Sequence, residues 1–319
     1  MNMVSRRDFL VSSAALPVAA AAPAKGEVSL VSWSLVKSYA FSRRWMNLEL
    51  PRIAREEFGI GALELVTLFF ENPSLEYLRR LKRNAGQHGV RLVRLLVDDE
   101  GNMSAVDKAE RIEASLAHRR WIDAARYLGC TDIRTNMRGG LPDWKQDKDL
   151  VKRGAESFRH LIEYARAAGV GVIVETHGGA SSDPGILTSL MREVNDPAFG
   201  VLVDLINISR DVDYEQGLRQ LLPFAKGISV HPVWAREGAY PGFAVERALQ
   251  ICMEAGYRGY WGIESSFGPP MKVMLRFAPE QNSPLPMPPG MTEEQIWRDD
   301  LKGVRLTQEI LAKTVFGKA

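Results

Sequence analysis

Short aliphatic and β-branched runs alternate with longer segments of helical period from residue 28 to near the end of the chain. This is the pattern of parallel strands joined by crossover helices. Strands are predicted at 28–35, 61–66, 90–97, 132–136, 171–177, 200–207, 227–232 and 260–265. Helical segments are predicted at 47–58, 73–89, 108–129, 148–169, 184–194, 214–225, 242–256 and 293–315. Several of these end at a glycine, which closes a helix because it takes a left-handed backbone without steric cost. An open doubly wound sheet of this length would usually break into distinguishable halves, so the repeat predicts an α/β protein, a closed (β/α)8 TIM barrel in a single domain.

Two stretches break the rhythm. Residues 1–24 place Arg6 and Arg7 before a short apolar run that ends Ala22-Pro23-Ala24. Paired arginines, apolar run and A-x-A site in that order resemble a twin-arginine export signal, cleaved after Ala24 to leave a barrel of residues 25–319 in the periplasm or another extracytoplasmic space. Its apolar run is short for spanning ~30 Å of hydrocarbon, so no stable membrane insertion is expected after cleavage, and retention as an anchor is the alternative. Residues 267–291 hold seven of the 17 prolines, too many for a helix or a central strand. Following the last strand, this insertion leaves from the barrel face where active sites are built, as a lid or as a stiff surface excursion.

Composition narrows the function by exclusion. With 45% apolar residues, 25% charged and a net charge of +2, the 319-residue chain lacks the basic excess of a dedicated nucleic-acid binder. Cys130 and Cys252 are the only cysteines, so no disulfide framework is expected, and both read as buried core residues.

Candidate chemistry gathers at the strand ends. The fifth strand ends in Glu175 and His177, the sixth in Asp204 and Asn207, the seventh in His231 and the eighth in Glu264. In a barrel these ends converge on one mouth, where three carboxylates would repel one another unless a cation neutralised them. Oxygen donors with one imidazole suit a single divalent metal: Mn²⁺ is the first choice, with Mg²⁺, Co²⁺, Fe²⁺ or Zn²⁺ as alternatives. His177 shares a strand face with Glu175, as a proton shuttle, a substrate ligand or a loop-shaping residue. Glu64, Asp98, Arg134, Asn136 and Asn207 are candidate substrate-binding residues, with mutual pairing as the competing role. Trp33, Trp234 and Trp261 divide between sugar stacking and core packing.

The order Glu175, Asp204, His231, Glu264, within "VETHGG", "VDLIN", "SVHPVW" and "GIESS", resembles the metal site of the xylose isomerase-like TIM-barrel superfamily, the sugar phosphate isomerases and epimerases. The likeness spans nearly the whole mature chain. It implies a metal bound to Glu175, Asp204, His231 and Glu264, a small-molecule sugar substrate, and Glu175 and Glu264 as the acid–base pair that moves a proton on the carbon next to a carbonyl. Members of the family often form homo-oligomers, although no stretch here marks an interface.

Three rivals remain. A lyase or dehydratase would share the first proton abstraction and then expel a leaving group from the β carbon of a keto-sugar or 3-keto-glycoside. No phosphate-cradling glycine loop with a nearby lysine occurs, which favours a neutral sugar derivative over a sugar phosphate. An endonuclease of the same superfamily needs many histidines, whereas this chain has five and carries Asn207 where that branch has a histidine. A non-catalytic sugar-binding barrel would have no need of all four ligand types.

Overall fold

Strand pairing closes a ring. Parallel strands β1 (Glu27–Val31), β2 (Ala62–Val66), β3 (Arg91–Leu96), β4 (Asp132–Thr135), β5 (Gly171–Glu175), β6 (Phe199–Asp204), β7 (Ala225–Val230) and β8 (Tyr260–Ile263) pair in chain order, and β8 returns to β1 through Glu27 opposite Tyr260. This computed structural model describes residues 26–141, 143–235, 243–268 and 283–317. The expected leader (1–24) and residues 269–282 of the proline-rich insertion lie outside the described residues. The described part is the expected single-domain TIM barrel of α/β class.

Helices α1 (Val36–Ser42), α2 (Leu50–Phe58), α3 (Leu75–Gln87), α4 (Lys108–Leu128), α5 (Leu150–Ala168), α6 (Pro184–Val194), α7 (Tyr214–Leu221), α8 (Val245–Glu254) and α9 (Glu293–Thr314) surround the barrel. Their starts follow local chemistry: Asp107, Asp183, Asp213 and Thr292 each accept a first-turn N–H of the helix that follows. Among the described residues no helix is long and apolar enough to cross a membrane.

Two departures from the sequence reading lie beside the mouth. The first predicted strand stops at Val31, and residues 32–35 turn into a 3-10 segment that leads into α1. Ser34 explains the turn, because its hydroxyl donates to the carbonyl of Ile263 at 2.8 Å and accepts from the N–H of Ser265 at 3.0 Å. The strands ending at 177, 207, 232 and 265 on sequence grounds end earlier, at Glu175, Asp204, Val230 and Ile263. The polar residues that follow them therefore stand on loops at the rim.

Alternation along the strands sorts side chains into two layers. Leu63, Ile133, Val174, Val203, Ile228 and Ile263 point outward under the helices and are fully buried. The residues between them point into the barrel, and many are polar. Low in the barrel, Arg94 donates through Nε and Nη2 to Asp132 at 2.7 and 3.3 Å and through Nη1 to Glu64 at 3.1 Å. Glycine makes this possible. A Cβ on Gly227 would lie 2.2 Å from Arg94 Nη1, and one on Gly262 would lie 2.9 Å from Glu64 Oε1. The missing side chains are the space that the ion cluster occupies.

Candidate metal centre at the barrel mouth

Glu175 and Asp204 are the last residues of β5 and β6, whereas His231 and Glu264 come one residue after β7 and β8. Parallel pairing sets all four at one height. Asp204, His231 and Glu264 each offer a ligand atom, and the three atoms lie within 4.8 Å of one another. This is the separation at which three donors can share one divalent ion. Glu175 stands outside that trio. Its Oε2 lies 2.9 Å from Arg134 Nε, so the expected four-ligand cluster is observed as three ligands with a neighbouring carboxylate turned to an arginine.

Each member of the trio is fixed by a neighbour. Asp204 accepts the Ile206 N–H on Oδ1 at 3.0 Å and Asn207 Nδ2 on Oδ2 at 2.8 Å. Asn207, expected among substrate ligands, thus holds a metal-site carboxylate. The backbone of Asp204 is pinned as well: its N–H donates to Thr176 Oγ1 at 2.7 Å, and its carbonyl accepts from the same hydroxyl at 3.0 Å. His231 Nδ1 faces Asp204 Oδ2 at 2.8 Å, and Ser229 Oγ donates to Glu264 Oε2 at 2.8 Å. Thr176 and Ser229 were not singled out in the sequence; for Ser229 the usable signal is its place two residues before His231, on the same strand face.

Burial and crowded charge disturb the titration of these groups. Burial is the main cause that pushes the Glu175 carboxyl up to about 8; Arg134 and His177 oppose the rise, and Glu264 and Asp204 add to it. Glu264 is pushed up to about 7, again mainly by burial, with Asp204 adding and His231 opposing. For His231, burial favours the neutral ring, but Asp204, by charge and hydrogen bond, together with Glu264 and Glu175, raises it to about 9. Without a metal, protons do the neutralising.

A second polar group adjoins the trio. Asp98 Oδ1 accepts Arg134 Nη1 and Asn136 Nδ2, both at 2.6 Å. Burial opposes ionisation of Asp98, yet the Arg134 charge outweighs it and holds the carboxyl below its usual range. The competing role foreseen for these residues, pairing with one another, is thus partly realised. It is also incomplete, because Arg134 Nε, Asn136 Oδ1 and both Glu175 oxygens are buried without a hydrogen-bond partner. The 2.9 Å approach of Arg134 to Glu175 is an ion contact in which the N–H is poorly aimed. Buried polar atoms left open in a mouth of this kind are the places where a ligand would complete the hydrogen bonding.

Other expected residues separate. Glu64 does not reach this group: its oxygens accept Ser29 Oγ at 2.5 Å and Arg94 Nη1 at 3.1 Å deep in the barrel. A strand-central position explains this, since Glu64 is the third of the five residues of β2. His177 is exposed at the rim, and its charge acts on both Glu175 and Asp98. Trp261 is fully buried against Tyr257, and Trp234 is buried and donates to Thr307 at 3.1 Å, so both are packing residues. Trp33, partly exposed, stacks on Phe69 at 5.8 Å. Cys130 and Cys252 are buried and unpaired, as expected.

The chain belongs to the xylose isomerase-like TIM barrel family, whose profile matches residues 53–266. Among solved structures it is similar to D-allulose 3-epimerase from Methylomonas sp., at 13% identity over 91% of this chain and 98% of that one, with a TM-score of 0.68. A D-psicose 3-epimerase from Clostridium cellulolyticum H10, determined with D-tagatose, shares 16% identity over 89% and 99%, with a TM-score of 0.63. The 3-keto-D-glucoside 4-epimerase of E. coli shares 13% over 88% and 100%, with a TM-score of 0.62. At such identities the likeness establishes the barrel, and the chemistry has to be argued from the site. No curated protein matches the sequence.

Proposed function

We propose that the protein is a divalent-metal-dependent sugar isomerase or epimerase that moves a proton on the carbon next to a carbonyl. One observation carries the reading: three hard donors within 4.8 Å of one another lie beside a buried carboxylate, Glu175, whose oxygens have no hydrogen-bond partner. The donor set fits a divalent ion, Mn²⁺ first, held by Asp204, His231 and Glu264. When bound, the ion supplies positive charge that stabilises the negative oxygen growing as the carbonyl becomes an enediolate. Glu175 removes the proton from the adjacent carbon, and the C–H electron pair moves into the new carbon–carbon double bond. Glu264 returns a proton. Arg134 Nε and Asn136 Oδ1 offer a donor and an acceptor to substrate hydroxyls, and His177 at the rim relays protons to solvent.

The structural neighbours support a sugar as the substrate class, since their names include ketose 3-epimerases and a keto-glucoside epimerase. The twin-arginine pattern adds that the enzyme works outside the cytoplasm, on a neutral sugar derivative. N-terminal sequencing of the exported protein should begin at Lys25. The deciding experiment incubates Mn²⁺-loaded protein with free ketoses and 3-keto-glycosides in deuterated water and follows exchange next to the carbonyl. Exchange with reprotonated product supports the proposal, whereas a bound ion without exchange on any member of the panel overturns it. Release of an aglycone or enone would instead assign the same first step to β-elimination.

A further inference from the structure

We propose that Glu175 is not a ligand of the cation and that Arg134 is the positioning residue that keeps it free as the proton acceptor. This deepens the proposed function and rests on it. Three observations lead there. The trio within 4.8 Å is Asp204, His231 and Glu264, without Glu175. Glu175 Oε2 instead lies 2.9 Å from Arg134 Nε, with both groups almost completely buried. Arg134 is itself tied down on its far side, where Nη1 donates to Asp98 at 2.6 Å and to the Val97 carbonyl at 3.4 Å, while Asn136 grips the same Asp98 oxygen. A guanidinium is planar and forked, so fixing one arm fixes the direction of the other.

Chemistry gives this arrangement a purpose. A carboxylate that shares its lone pairs with a cation is a weaker base than one that does not, and its geometry is set by the metal and not by the substrate. Arg134 balances the charge of Glu175 without occupying its lone pairs in well-formed hydrogen bonds, since both oxygens remain unpartnered. The carboxylate stays charged, oriented and open. Asp98 serves as the anchor of the clamp.

The test uses the folded full-length protein and Mn²⁺ alone as the probe, titrated calorimetrically into wild type and variants whose fold is checked by circular dichroism. Glu175→Gln should leave Mn²⁺ affinity within about threefold of wild type, while Asp204→Asn weakens it by about 100-fold or more. Arg134→Gln should tighten binding by about fivefold, because the released Glu175 can then swing onto the ion. Combining Arg134→Gln with Glu175→Gln should cancel that gain, a coupling that a merely structural arginine would not produce. If Arg134→Gln fails to fold, Arg134→Lys should show the same tightening to a smaller degree. A collapse of affinity in Glu175→Gln as deep as in Asp204→Asn overturns the inference and leaves the proposed function standing; so does an arginine variant with unchanged or weaker affinity. Wild-type protein without Mn²⁺ affinity overturns the proposed function, and this inference falls with it.

Discussion

The barrel holds two buried charged groups stacked along its axis, and they are built on opposite terms. In the lower one, Glu64, Arg94 and Asp132 satisfy one another: Glu64 has Ser29 and Arg94, Asp132 has Arg94 and Thr131, and none of their atoms is among the buried unpartnered ones. In the upper one, Glu175, Arg134 and Asn136 keep open atoms, and three members of the metal site titrate far from their ordinary ranges. The same residue types thus serve as a finished structural plug below and as an unfinished site above. Burial alone does not mark function; burial with unmet bonding capacity does.

The comparison can be broken, beginning with the largest effect. Replacing Arg94 with Met leaves Glu64 and Asp132 as uncompensated buried carboxylates, and denaturant unfolding should register a loss of about 3–5 kcal/mol. A loss below about 1 kcal/mol would mean that the lower group is no plug. Next, Asp204→Asn should reduce Mn²⁺ affinity by about 100-fold while melting close to wild type, since it removes a buried negative charge from a crowded set. Gly227→Ala should then destabilise by about 1–3 kcal/mol, because its Cβ meets Arg94 at 2.2 Å and Leu202 at 2.7 Å.

A pH titration sharpens the contrast further. Glu175 and Glu264 rise from a reference value of 4.5 to about 8 and about 7, and His231 rises from 6.5 to about 9. Groups raised in the folded state bind protons more tightly there than in the unfolded chain. Their stabilisation is complete below the unfolded values and is lost as pH climbs through the folded ones. Chelator-treated protein should therefore melt at progressively lower temperature from about pH 5 to about pH 9. Mn²⁺ should flatten the curve and bind more tightly as pH rises, since it takes the place of the protons. Arg94→Met should retain this slope, while Glu175→Gln should shrink it. The smallest effect is the stability of Glu175→Gln itself at neutral pH, expected within about 1 kcal/mol of wild type because no well-formed hydrogen bond is lost.

Much of this was legible in the residues. The eight strand–helix units follow from periodicity, and the order Glu175, Asp204, His231, Glu264 at successive strand ends pointed to one mouth before any distance was known. Asp98, Arg134 and Asn136 were also within reach, because alternation places Arg134 and Asn136 on one face of β4 and its extension. Glu64 shows where such reasoning stops. Strand alternation sends it into the barrel but says nothing about its height, and its partner Arg94 lies 30 residues away with no local signature. Asn207 was sought on the substrate side because its type suits a hydroxyl; its actual partner, Asp204, became visible only once the chain turned after β6.

Chain chemistry alone therefore determined the barrel, its mouth and the donor types gathered there, since periodicity and strand direction are local properties that repeat eight times. Tertiary structure decided which carboxylates share a centre and which are taken by arginines. Those choices depend on depth, on side-chain reach across the barrel and on the gaps left by Gly227 and Gly262, and these quantities exist only after the ring has closed.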